Sequence, residues 1–310
     1  MALSPAFIIE SAQITTETVF MALLAGGLTL FVEAVYRGGM ARPTPTSPLW
    51  WIGAAVLLGL AALTRAVLIV FPFALAVYWL IVPPPDRRFA RRLGQALAFG
   101  AVYLAVVLTW TGYNWVHWNR LVFGGGDISA FLYIGATGWA DPQEVDHRLE
   151  TQAGSGDPNV RNYAQGAASA IASDPMAYVK RRLSEWSGSI LQPHGTVYFG
   201  GESLRDLGVR WLTQDRSLNG LVDVIRGDAF GSKLVIYVFH YTALFFGLIG
   251  MWRVRRAWPL MLPLLAYIGY TAALHLFILA LPRYWFPTMI FWTVFAACAF
   301  FGAVRKEQTA

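Results

Sequence analysis

The stretch Gly59-Leu60-Ala61-Ala62-Leu63-Thr64-Arg65-Ala66-Val67-Leu68 decides how this sequence is read. Thr64-Arg65 is the one polar break in an otherwise apolar run from 49 to 82. Split there, the run gives two short segments, 49–64 and 66–82, each near the lower limit of about 17 residues for a membrane-spanning helix. The expectation is two helices joined by a tight turn at one membrane surface. The alternative is one long broken helix, which would reverse the orientation of everything before it.

Working outward, further apolar segments fall at 15–36, 95–112, 234–252, 259–281 and 286–304, which makes seven in all. The distribution of basic residues favours the split. With the N-terminus outside, the cytoplasmic loops hold Arg37 and Arg42, then Arg87, Arg88, Arg91 and Arg92, then Arg253, Arg255 and Arg256, then Arg305 and Lys306. The short outer turns hold only Arg65 and Arg283. Such an excess of Lys and Arg marks the cytoplasmic side. Counting 49–82 as a single span would place Arg37 and Arg42 opposite the other clusters.

Composition agrees with a membrane protein. The 310 residues are 56% hydrophobic and 14% charged, with a mean hydropathy of +0.48; soluble domains carry roughly 25% charged residues. The abundance of Trp, Tyr and Phe suits interfacial aromatic belts. The net charge of +6 does not point to nucleic acid, because the arginines sit in short clusters between apolar runs. The single cysteine, Cys298, lies inside an apolar run and excludes a disulfide framework. Met1 to Glu10 show no cleavable signal peptide: there is no basic start, and Glu10 interrupts the apolar stretch.

The expected architecture is therefore an all-α polytopic membrane protein in three parts: a membrane domain over 1–112, a mainly helical extracytoplasmic insert over 113–233, and a membrane domain over 234–310. Within the insert, Gly124-Gly125-Gly126 reads as a turn, and Asp141-Pro142 opens a helix reaching Glu150. Tyr163 to Ala172 and Asp174 to Ile190 read as amphipathic helices, the second opened by Asp174-Pro175 at cap and first-turn positions. Lys180, Arg181 and Arg182 are expected on one side of it, with Tyr178, Leu183 and Trp186 available to pack. Gln192 to Arg205 reads as a glycine-rich loop.

Charged residues at membrane depth are costly unless they face water or a partner. Glu17, in Thr15-Thr16-Glu17-Thr18, sits at the outer mouth of the first span. Arg65 sits in the outer turn, and Arg283 and Tyr284 precede the last span. Two guanidinium groups and a phenol suit a lipid-linked phosphate at headgroup depth, and a nearby carboxylate suits a metal or an acceptor hydroxyl. Each residue also has a plainer reading. Glu17 serves equally as an acid at a helix start, Arg65 as a snorkelling arginine, and Arg283-Tyr284 as an aromatic-belt anchor. Glu33 reads as a snorkelling or paired charge, and His117 as an interface residue. His147, His194, His240 and His275 form no metal-ligand spacing, and no phosphate-binding loop, dinucleotide fingerprint, nucleophile elbow or zinc-protease motif is present.

The run Gly59 to Arg65, followed by an apolar helix containing Pro72, resembles a segment of the C-type integral membrane glycosyltransferases, the relatives of protein O-mannosyltransferases and aminoarabinose transferases. Leu108-Thr109-Trp110-Thr111-Gly112-Tyr113-Asn114-Trp115 is similar to their Pro-Trp-x-x-x-Asn turn, with Thr109 where Pro is usual. Pro282-Arg283-Tyr284-Trp285-Phe286-Pro287 looks like their Arg-Tyr-x-x-Pro signature. Ser11 to Phe20 looks like the opening of one of their middle spans, and Asp174-Pro175-x-x-Tyr178 is typical of their outer domain.

The resemblance implies transfer of a sugar from a polyprenyl-phosphate carrier to a lipid, glycan or protein acceptor on the outer face of a bacterial inner membrane. Arg65, Arg283 and Tyr284 would bind the carrier phosphate. Glu17 would lie near the reaction centre, with a divalent metal as the one cofactor the family leaves room for. The family's acidic first outer loop has no counterpart here. The expectation is then the later part of an enzyme, a chain completed by another, or a binding or assembly subunit that keeps the lipid-phosphate pocket without catalysis. Asp141, Glu144 and Asp146 are the insert's only acidic cluster, and nothing marks them as replacements.

Overall fold

The computed structural model describes residues 16–37, 48–82, 89–119, 121–122, 128–138 and 160–301. The expected helix from Asp141, the Gly124–Gly126 turn and the Asp141, Glu144, Asp146 cluster lie outside them, as do Arg42, Arg87, Arg88, Arg305 and Lys306. Among the described residues there is no strand. The helices are α1 (Thr16–Arg37), α2 (Pro48–Thr64), α3 (Phe71–Ile81), α4 (Phe89–Trp118), α5 (Ile128–Thr137), α6 (Val160–Ser173), α7 (Pro175–Leu191), α8 (Leu204–Thr213), α9 (Leu218–Arg226), α10 (Phe230–Arg253), α11 (Trp258–Phe277), α12 (Pro282–Trp285) and α13 (Met289–Phe301).

The protein is an all-α polytopic membrane protein. Among the described residues, five helical stretches are long and apolar enough to cross a bilayer: Thr16–Val35, Phe89–Trp118, Phe230–Arg253, Arg255–Phe277 and Pro282–Phe301. Two more, Pro48–Thr64 and Ala66–Ile81, are apolar but shorter. The fourth apolar segment makes a longer helix than its sequence predicts, running from Phe89 to Trp118. At its start Arg92 donates to the Leu80 carbonyl at 3.1 Å. The guanidinium thereby satisfies an acceptor at the C-terminal end of α3.

The chain divides into two compact units. One comprises Thr16–Leu183 and Ala257–Leu279; the other is built from Ser184–Arg256 and the segment beginning at Ala280. In the first unit α1 and α2 are antiparallel. Glycines let them approach: a β-carbon on Gly27 would stand 2.8 Å from Leu58 Cγ, and one on Gly53 would stand 3.0 Å from Leu30. Farther along α1, Phe31 packs its ring against Tyr78, Trp79 and Phe99 at centroid separations of 5.3–5.8 Å. Residue 31 lies beside the end of α3, whereas residue 17 meets residue 65. Hence α2 and α3 run in opposite directions, and the tight turn at Thr64-Arg65 is what the chain forms.

That turn is economical. Arg65 alone is extended (φ −143°, ψ 112°). Its N–H donates to the Ala61 carbonyl at 3.0 Å, and its own carbonyl accepts from Leu68 N at 3.1 Å, opening a short 3-10 turn at Ala66–Leu68. The Thr64 hydroxyl donates to the same Ala61 carbonyl at 2.7 Å. A reversal within a bilayer must satisfy its own backbone, since lipid offers no partner. The helix α11 continues the alternation: Tyr78 pairs with the Pro259 carbonyl and Tyr270 with the Val67 carbonyl, which sets α11 antiparallel to α3.

The insert portion of this unit gathers at the exit of α11. Tyr133, Ala136 and Ala167 form a small apolar core between α5 and α6. Asp174 caps α7, accepting from Ala177 N at 2.9 Å. Arg182 differs from expectation: among the described residues it is the largest deeply buried side chain, 2% exposed, while Leu183 is 50% exposed. The reason is the carbonyl of Ile278, to which Arg182 Nη1 donates at 2.9 Å. Tyr178 likewise donates to the Phe277 carbonyl at 2.7 Å, and Arg181 to that of Ala136 at 2.7 Å. Carbonyls at the C-terminal ends of helices lack intrahelical partners, and α7 supplies donors to those at the ends of α11 and α5.

In the second unit α10 and α13 pack in parallel, with Gly247 against Trp292 and Gly250 against Phe295. Lys233 is buried and donates to the carbonyls of Gly200 at 2.6 Å and Glu202 at 3.0 Å. Those carbonyls are aimed by a Gly200-Gly201 turn with φ of +64° at both residues, a conformation that favours glycine. The helices α8 and α9 replace what the sequence suggests only as the end of a loop and an unassigned stretch.

Candidate functional site

Glu17 occupies the first turn of α1, where the helix dipole favours a carboxylate. The Thr16 hydroxyl donates to its Oε2 at 3.0 Å. Arg65, held at the α2–α3 reversal, donates from Nη2 to Glu17 Oε1 in a direct ion pair. Both side chains are mostly shielded, 14% exposed for Arg65 and 17% for Glu17. The guanidinium carbon also lies 5.6 Å from the centroid of Phe20, three residues along α1 from Glu17. The two sequence-derived candidates at this end of the unit are thus one charged pair, seated on an aromatic ring.

A polar stripe that the sequence reading passed over faces the same neighbourhood. Tyr267, Thr271 and His275 recur every four residues along α11, and all three are buried. Tyr267 and His275 are near enough to Arg65 for its charge to act on them. His275 Nδ1 is 2.8 Å from the Leu279 carbonyl, and so ties the stripe to the segment that receives Arg182. The legible signal was the spacing: three hydrogen-bonding side chains on one face of an apolar helix.

Arg283 and Tyr284 belong to the other compact unit. They stand on α12, a four-residue turn whose last residue, Trp285, is buried, as is Phe286 after it. Arg283 Nη2 donates to the Tyr284 hydroxyl at 3.0 Å, and its guanidinium lies 4.9 Å from the Tyr284 ring centroid. The His194 ring packs against that of Phe286, tilted by 52° with centroids 5.0 Å apart. It is placed there because His240 Nε2 meets the Ile190 carbonyl at 2.8 Å and Tyr241 donates to that of Leu191 at 2.8 Å, pinning the end of α7.

Glu33 is half-buried along α1. His117 is exposed at the end of α4, its ring 4.1 Å from that of Tyr113 and beside Trp118. Among the described residues no three His, Cys, Asp or Glu side chains converge as metal ligands. Glu17 is engaged by the Arg65 guanidinium, so the described residues do not fit a divalent metal. No family model, curated protein or solved structure matches the chain.

Proposed function

We propose that the protein is a membrane-embedded transferase, or part of one, that moves a sugar from a polyprenyl-phosphate carrier onto a lipid, glycan or protein acceptor at the outer face of a bacterial inner membrane. The carrying observation is the Glu17–Arg65 pair, a shielded carboxylate and guanidinium at the end of the helical bundle where the insert's helices also gather. In this reading the N-terminus lies outside and the C-terminus in the cytoplasm, following the basic clusters.

The chemistry is an inverting displacement. The acceptor hydroxyl attacks the anomeric carbon, the bond from that carbon to the phosphate oxygen breaks, and the carrier leaves as a phosphate whose charge grows through the transition state. Arg65 is a planar, permanently charged donor suited to that charge, and in the other unit Arg283 with the Tyr284 hydroxyl is a second donor set of the same chemistry. Phosphate competes with Glu17 for Arg65, and the carboxylate so released can take the acceptor's proton.

The test is transfer of a radiolabelled sugar from polyprenyl phosphate in membranes containing the full-length protein, wild type against Arg283→Ala and Arg65→Ala. The expected result is loss of transfer with unchanged membrane insertion. Full activity in both variants refutes the assignment, and carrier binding without transfer in the wild type identifies a binding subunit instead.

A further inference from the structure

We propose that α9 is an interfacial anchor that lies along the bilayer surface where α10 enters it, with one apolar stripe sunk into the lipid. The helix carries a wide apolar arc. One part, Leu221 and Val224, is half-buried toward its own unit, where α9 packs on α8 and α10. The other part is a second stripe, Leu218, Val222 and Ile225, spaced four and three residues apart and therefore aligned on one face. These side chains are 81%, 39% and 51% exposed. The adjoining stripe is polar: Asn219, Asp223 and Arg226. An arc this wide exceeds what the unit covers, and the uncovered half is the length of the helix.

Its place in the chain identifies the occupant. Gly227 closes α9 with its N–H on the Val224 carbonyl, and Ala229 turns the backbone through a left-handed conformation (φ 52°) before α10 starts at Phe230. The helix is therefore no extension of the span but a separate element joined to it by a sharp corner. Nine positions after Ile225, α10 exposes Leu234, Val235 and Val238, the side chains of a helix apolar enough to cross a membrane. In the proposed pose the exposed stripe of α9 continues that lipid-facing surface around the corner. Arg226 beside the stripe and Arg216 ahead of it can rest their stems on lipid and extend their charges to the headgroups. The serine caps at both helix starts, Ser203 to Asp206 N at 3.1 Å and Ser217 to Gly220 N at 3.0 Å, hold α8 and α9 as defined helices.

The experiment uses the full chain in lipid nanodiscs, with Cys298→Ser and single cysteines at 218, 222, 225, 219 or 223 carrying an environment-sensitive fluorophore. Spin-labelled lipid should quench the probes at 218, 222 and 225 at least about twofold more than those at 219 and 223, while iodide in the water shows the reverse order. Equal iodide quenching at all five positions overturns the proposal, because the stripe then faces water. Shielding of 218, 222 and 225 from both quenchers also overturns it, because protein then covers them. Equal lipid quenching at all five shows a helix immersed on every side and overturns it as well.

Discussion

Arg182 and Ile278, ninety-six positions apart, are joined by a hydrogen bond from the buried guanidinium to a backbone carbonyl just past the end of α11. An arginine in the insert thus completes the hydrogen bonding of a membrane helix's exit.

Replacing Arg182 by Met keeps the volume and removes the donor. The Ile278 carbonyl is then left buried and unsatisfied, at a cost of about 1–3 kcal/mol. Arg182→Lys should recover only part of this, since an ammonium on a flexible stem does not reproduce the planar fork. Thermal unfolding of the detergent-solubilised protein measures both; an unchanged midpoint in Arg182→Met contradicts the assignment.

The Glu17–Arg65 pair should show coupling. Glu17→Gln and Arg65→Ala each destabilise by about 1–3 kcal/mol, less than the ~3–5 expected of a fully buried pair, because both groups keep some exposure. The double variant should cost less than the sum of the singles. Additive losses in chemical denaturation would mean that the two charges contribute independently.

Gly250 in α10 has no room for a side chain, because a β-carbon there would lie 1.7 Å from the Phe295 carbonyl oxygen. Gly250→Ala must push α10 and α13 apart and should cost at least about 1–3 kcal/mol. Gly231→Ala, in the same helix with open space around it, should be neutral or gain up to about 1 kcal/mol from helix propensity. Folded yield after extraction ranks the two, and parity between them would show that the helices are not in this contact.

Tyr178 gives a pH-dependent signature. Partial burial raises its phenol above the ordinary value of 10.0, and the charge of Arg182 opposes that only in part. With the folded value raised, the stabilisation is complete below about pH 10 and is lost as pH climbs through the folded value. Tyr178→Phe removes the bond to the Phe277 carbonyl, at a cost of about 1 kcal/mol near neutrality. The stability gap between wild type and variant should narrow above about pH 10; a gap constant to higher pH rules out this titration.

Much of the fold is legible without coordinates. Apolar runs and their breaks locate every long helix, because a bilayer tolerates only segments that satisfy their own backbone. Asp174-Pro175 marks the start of α7 for the equally local reason that the cap lies within three residues. The helices α8 and α9 are marked as plainly, by Ser203 with Asp206 and by Ser217 before an apolar-periodic run, yet the loop expected over Gln192 to Arg205 runs into α8, and the stretch that holds α9 carries no expectation. Thr64-Arg65 and the distribution of arginines also suffice to argue for a reversal over one broken helix.

Legible from the residues alone are the apolar helical segments and the residues whose charge is costly at membrane depth, because both depend on local chemistry. Tertiary structure alone decided which charges meet. Glu17 finds Arg65 across forty-eight positions, and Arg182 turns inward while Leu183 turns out. The physical reason is that a partner for a buried charge is set by how helices pack, and no spacing within a single helix encodes it.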